Sequence, residues 1–180
     1  MAESKVVSPV VRPRLDSVLQ SKGPGMAYDT AQICSNGHVV TADIQRLKGA
    51  GMEKFCSRCG ASTITQCECG QSIRGRYWIT SREIPPYRRP AFCLECGRAF
   101  PWTQIAIEAA REYATAVELE ADQREFADLI ENLVRDNPRT VVSAARVKQL
   151  LEKAGPAVSE GFQKILVDVI SESVKKAIWH

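Results

Sequence analysis

The apolar residues of this chain change rhythm near residue 100. Before that point large aliphatics are sparse. They gather in short β-branched or aromatic clusters, chiefly residues 39–44 (Val-Val-Thr-Ala-Asp-Ile) and 73–80 (Ile-Arg-Gly-Arg-Tyr-Trp-Ile-Thr), which read as strands of short hairpins. Beyond it, apolar residues recur at spacings of three and four, the period of an amphipathic helix. Pro101-Trp102-Thr103 reads as a helix start, and Trp102, Ile105, Ala109, Tyr113, Ala116 and Val117 then share a face. Asp122 and Glu125 have the spacing of a capping box, followed by a stripe of Phe126, Leu129, Ile130, Leu133 and Val134. Asp136-Asn-Pro138 closes that helix. Thr140 is placed to cap the next, with Val141, Ala144, Ala145, Leu150 and Leu151 on its inner side, and Gly155-Pro156 stops it. A last helix from about Val158 aligns Phe162, Ile165, Leu166, Val169, Ile170, Val174 and Ile178.

This rhythm divides the chain into three parts. Residues 1–27 are interrupted by proline and glycine and read as a flexible tail. Residues 28–100 carry the short strands, and residues 101–180 a bundle of three to four helices. Charge follows the same boundary. Residues 1–100 hold 14 Lys/Arg against 8 Asp/Glu, whereas residues 101–180 hold 10 against 13. The whole chain is only +3, far from the strongly basic balance of a dedicated nucleic-acid binder. No apolar run reaches the roughly 18 residues of a membrane span.

The middle part has too few large aliphatics for an ordinary core, and it holds every cysteine. Seven cysteines and one histidine form four close pairs: Cys34/His38, Cys56/Cys59, Cys67/Cys69 and Cys93/Cys96. Two soft ligands on one tight turn supply one edge of a tetrahedron, and a second turn alongside supplies the opposite edge. A glycine follows the second cysteine in three pairs (Gly60, Gly70, Gly97) and Gly37 lies inside the first, as turns needing positive φ require. Eight ligands make two closed zinc sites, so two structural Zn2+ ions per chain are expected, with metal binding replacing a core as the source of folding free energy. Sequential pairing joins the first pair to the second across 17 residues and the third to the fourth across 23. A cross-braced arrangement, first with third and second with fourth, uses the same ligands. An odd cysteine count and the lack of a visible signal peptide argue against disulfides and for a reducing cytoplasm. The fold class is therefore α+β: a small double zinc ribbon of short antiparallel hairpins, then a helical, bundle-like C-terminal half.

Candidate recognition chemistry lies between Cys69 and Cys96. Five arginines there alternate with aromatic residues, and Arg74, Arg76, Tyr77, Trp78, Arg82, Tyr87, Arg88 and Arg89 are the candidate macromolecule-contact residues. Guanidinium forks suit phosphate and carboxylate, and aromatic faces suit bases or apolar side chains. A protein partner is the favoured expectation and nucleic acid the alternative, with homodimerisation through the last helix a further one. Catalysis is disfavoured. The paired ligands leave no open coordination position, His38 lacks the context of a deaminase motif, and the only other histidine is the terminal His180.

Taken together, Ile33-Cys-Ser-Asn-Gly-His38, Cys56-Ser-Arg-Cys-Gly60, Cys67-Glu-Cys-Gly70 and Pro90-Ala-Phe-Cys-Leu-Glu-Cys-Gly97 through Trp102 resemble an uncharacterised bacterial domain-of-unknown-function family with zinc-ribbon-like cysteine knuckles. The resemblance covers about residues 28–120 and implies bacterial origin and metal binding. It implies no activity.

Overall fold

A computed structural model describes residues 28–77 and 86–180. The N-terminal tail reading and the contacts expected of Trp78 and Arg82 lie outside the described residues.

The first half is built of short antiparallel strands. β1 (Tyr28–Thr30) pairs with β5 (Arg74–Tyr77). β2 (Gln32–Cys34) is the centre of a second sheet, flanked by β3 (Val39–Thr41) and β4 (Thr63–Ile64). The β3 stretch was expected to run to residue 44. It stops at Thr41 because the chain turns back on itself, with Leu47 donating to the Asp43 carbonyl and Gly49 to that of Ile44. β5 finds its partner in β1, 44 or more residues earlier, rather than within its own excursion. Gly75 permits that approach. A Cβ there would lie 2.8 Å from backbone carbons of both Asp29 and Thr30, and would also strike the Ala42 carbonyl.

Five helices follow: α1 (Pro101–Ala116), α2 (Gln123–Arg135), α3 (Thr140–Ala154), α4 (Pro156–Leu166) and α5 (Glu172–Trp179). α2 starts as the capping signal predicts, Asp122 accepting from the N–H groups of Arg124 and Glu125 at 2.9 Å. Glu125 itself turns to Arg146 on α3. Three expectations are corrected. Thr140 is the first residue of α3 rather than its cap, and its hydroxyl donates to the Asn132 carbonyl at 2.9 Å. The inner face of α1 is rotated from the one expected. Thr103, Ala106, Ile107, Ala110 and Tyr113 turn inward while Ile105 and Ala116 are exposed, because α1 must meet both α2 and α4. On α3, Val141 and Ala145 are likewise exposed, and Val147 joins the expected Ala144 and Leu151 on the buried side.

The single last helix is also corrected: it breaks into α4 and α5, so five helices stand where three to four were expected. A straight helix over residues 156–179 would be about 36 Å long, whereas the 15-residue α3 beneath it spans about 22 Å. By turning at 167–171, the segment packs both arms on α3. Ser171 caps the second arm, accepting from Val174 N at 3.4 Å. Val169 and Ile170 are buried at the turn.

Two apolar clusters result. Phe126, Ile130, Leu133, Val147, Phe162 and Leu166 centre the helical one, with Phe162 edge-on to Tyr113 and Phe126. The face on which homodimerisation was expected is turned into this cluster, which takes in Phe162, Leu166, Val174 and Ile178. The smaller cluster joins Ala31, Ile33 and Ile73 to Cys67, Cys93, Phe100 and Trp102. α1 belongs to both. Its first turn plants Trp102 among the strands, with the indole N–H donating to the Pro90 carbonyl at 2.9 Å. Ala110 sits in the helical core.

Candidate metal centres

Each ligand pair lies on a turn closed in the same way. The N–H of the first cysteine donates across the turn, from Cys34 to His38 O, Cys56 to Ala61 O, Cys67 to Gln71 O and Cys93 to Arg98 O, at 2.8–3.0 Å. A glycine N–H then returns to the first cysteine's carbonyl, from Gly37, Gly60, Gly70 and Gly97 respectively, at 2.7–2.9 Å. All four glycines have positive φ. Isolated bridges Phe55–Ser62, Gln66–Ser72 and Phe92–Ala99 clamp the stems of the last three turns.

The sheet brings these turns together two by two. β2 carries Cys34, and its neighbour β4 follows the Cys56/Cys59 turn, so Cys34, His38, Cys56 and Cys59 converge. Cys67, Cys69, Cys93 and Cys96 form the second group. Within each group all four ligand atoms lie within 4.8 Å of one another. The pairing is sequential, not cross-braced.

The separations test whether a metal fits. Zinc at about 2.3 Å from sulfur in a tetrahedron sets sulfurs about 3.8 Å apart, and with nitrogen at about 2.05 Å a sulfur–nitrogen edge is about 3.5 Å. Cys34 and Cys59 sulfurs are 3.8 Å apart, Cys67 and Cys96 3.7 Å, and Cys69 and Cys93 3.6 Å. His38 presents Nδ1, 3.3 Å from Cys59 Sγ and 3.7 Å from Cys56 Sγ. All seven thiols are free rather than disulfide-bonded. Donor type and spacing both fit zinc.

Electrostatics point the same way. The Ala61 N–H, with His38 and the neighbouring thiols, brings Cys59 down to about 6 against its burial. Burial opposes ionisation of Cys93, but the N–H groups of Cys96 and Glu95 and the nearby thiols outweigh it, bringing Cys93 to about 7. For Cys69 the Gln71 N–H pulls downward, and burial among the Cys96, Cys93 and Cys67 thiols wins, raising it to about 12. Burial raises Cys34. Four sulfurs this close cannot all ionise unless a cation stands among them.

Residues around the ligands brace the turns. Asn36 Nδ2 reaches Cys59 Sγ at 3.5 Å, and the His38 N–H donates to Cys34 Sγ at 3.2 Å. Arg89 donates to the Gly37 carbonyl at 2.7 Å and pairs with Asp168 at 3.2 Å, tying the first turn to the loop between α4 and α5. Nothing in local sequence marks Asn36 or Arg89 for these roles, since each acts on a residue 23 or more positions away.

The candidate contact residues are largely engaged within the chain. Arg74 lies over the Tyr28 ring at 4.3 Å, and Tyr77 packs on the same ring. Arg76 pairs with Asp43, Arg88 with Glu172 and Arg89 with Asp168. Tyr87 donates to the Arg74 carbonyl at 2.7 Å, and its burial pushes the phenol pKa up.

Fold and centres define an α+β protein whose two Cys/His groups, consistent with zinc-ribbon knuckles, could each hold a metal ion. Among the described residues no helix is long and apolar enough to cross a membrane. The chain belongs to the bacterial family described as "Uncharacterized protein conserved in bacteria (DUF2321)", whose model matches residues 27–178. No curated protein and no solved structure matches it.

Proposed function

We propose that the protein is a non-catalytic interaction module in the cytoplasm, held in shape by two structural zinc ions and serving as a protein–protein adaptor. The observation that carries this reading is the completeness of both donor sets. Each offers four sulfur or imidazole ligands within 4.8 Å of one another, with contacts of 3.3–3.8 Å among them. A catalytic zinc instead keeps a position for water. A protein partner is favoured over nucleic acid because Arg74, Arg76, Arg88 and Arg89, the forks that would meet phosphate, already have partners within the chain.

Metal analysis tests the foundation. Protein purified without chelator should hold two zinc ions per chain. Under sequential pairing, Cys67→Ser/Cys93→Ser should remove one ion and spare the other, whereas cross-braced sites would lose both. Zinc-free protein would overturn the reading. Titration into labelled single- and double-stranded DNA and RNA, from about 50 to 200 mM salt, tests the adaptor role. A micromolar, salt-sensitive complex weakened by Arg74→Ala/Arg76→Ala would replace it with nucleic-acid binding.

A further inference from the structure

The excursion between the first and second ligand pairs has features that neither metal binding nor packing uses. Leu47, Met52 and Phe55 are 44–57 % exposed on it. Isolated exposed apolar residues are ordinary, but three within nine positions of a braced loop are not. The bracing is specific. The buried Asp29 carboxylate accepts from Gln45 N at 2.8 Å and Arg46 N at 3.0 Å, holding the start of the loop. Gln32 holds its end in both directions, donating to Glu53 O at 2.8 Å and accepting from Glu53 N at 2.9 Å. The Cys56/Cys59 turn follows at once. Such a surface is pre-organised, so little ordering entropy is lost when a partner settles on it.

Charge identifies the partner. Lys48, Lys54 and Arg58 are exposed on the same stretch, and among the described residues none of them has an ion pair. Asp43 pairs with Arg76, and Glu53, whose carboxylate accepts from the Ser57 N–H and hydroxyl, is the one acidic residue of the stretch against Lys48, Lys54 and Arg58. The surface is thus apolar with an excess of positive charge. Methionine adapts to apolar side chains, whereas a surface for single-stranded nucleic acid would need stacking rings and this stretch offers only Phe55. The first 27 residues of the chain carry four Lys/Arg against two Asp/Glu, so charge disfavours them as the occupant.

We infer that the loop over residues 44–58 is the docking surface of the module, and that it takes an amphipathic segment of another protein whose apolar stripe is flanked by Asp and Glu. The inference rests on the adaptor reading above and names its surface and the chemistry of its partner.

The test uses the full zinc-loaded chain and a labelled peptide of about 18 residues, with leucines at helical spacing and glutamates on the flanks. A second peptide carries lysines in place of the glutamates. The acidic peptide should bind in the micromolar range and more weakly as salt rises. Lys48→Glu/Lys54→Glu/Arg58→Glu should weaken it about tenfold or more and turn the preference to the basic peptide. Leu47→Ser/Met52→Ser/Phe55→Ser should also cost about tenfold or more. Zinc content, measured for every variant, should stay at two ions. Equal binding of the two peptides, indifference to the charge reversal, or displacement of the peptide by an RNA or DNA oligonucleotide bound through the same three cations would each overturn the inference. Wild-type protein that holds two zinc ions yet ignores the peptide would overturn this inference alone. Wild-type protein without zinc would bring down the metal reading beneath it.

Discussion

Gly37→Ala should weaken the first metal centre and spare the second. Gly37 is buried between Cys34 and His38 with φ +86°. An alanine held there costs about 1–2 kcal/mol in backbone strain. Its Cβ would also lie 2.8 Å from Arg89 Cζ, 2.9 Å from Arg89 Nε and 2.9 Å from Trp102 Cβ. Trp102 is fixed in the small core, so the turn must shift off its Cβ and Arg89 must give way. Its charged hydrogen bond to the Gly37 carbonyl then goes, at about 1.5–3 kcal/mol. The sum is about 2.5–5 kcal/mol. Gly60→Ala is the control. It has the same sign of φ, +72°, in the partner turn of the same centre, with nothing within 4 Å of its Cβ, so it should cost only the strain, about 1–2 kcal/mol. Urea unfolding of the zinc-loaded variants measures the difference. If half the Gly37→Ala cost is released when the turn lets go of its metal, zinc affinity at the first centre falls about ten- to seventyfold. Competition with a chromophoric chelator would show this as one weakened ion of two. Equal stability of the two variants, or equal loss of both ions, would refute the reasoning.

Chelation should open the strand half and leave the helices. The small core contains two ligand thiols and buried Trp102, whereas the helical core contains no cysteine, so tryptophan emission should shift to the red while most helical circular dichroism persists. A parallel loss of both signals would contradict this. Gly161→Ala should act in the opposite half. Its Cβ would enter the Tyr113 ring, 2.6 Å from Cε1, costing about 1–3 kcal/mol of helical stability with both zinc ions retained, as read by urea melts and metal analysis. The Tyr87 phenol, raised by burial, keeps its proton in the folded chain. Its contribution to stability is therefore present below about pH 10, the unfolded value, and is lost as pH rises through the folded one. Absorbance titration should show a tyrosine fraction delayed beyond pH about 10 that Tyr87→Phe removes; an unchanged curve would refute it.

What the sequence determined alone is whatever short range decides. The four ligand turns are legible because the coordination chemistry and the turn geometry occupy five residues or fewer, and the positive-φ glycines mark them. The stripe of α2 and its Asp122 cap are legible for the same reason, since periodicity and capping are contacts within a helix. Tertiary structure decided the rest. Which turns share a metal depends on the β2–β4 pairing. The break between α4 and α5 was hidden because both arms bury the same stripe, and only the length of α3 beneath them requires the turn. Arg74, Arg76, Arg88 and Arg89 looked available because their partners, Tyr28, Asp43, Glu172 and Asp168, lie 33 or more residues away. Lys48, Lys54 and Arg58, which have no ion pair among the described residues, look no different in sequence from the paired arginines. Charge is a property of the residue, but whether it is neutralised depends on what the fold places beside it.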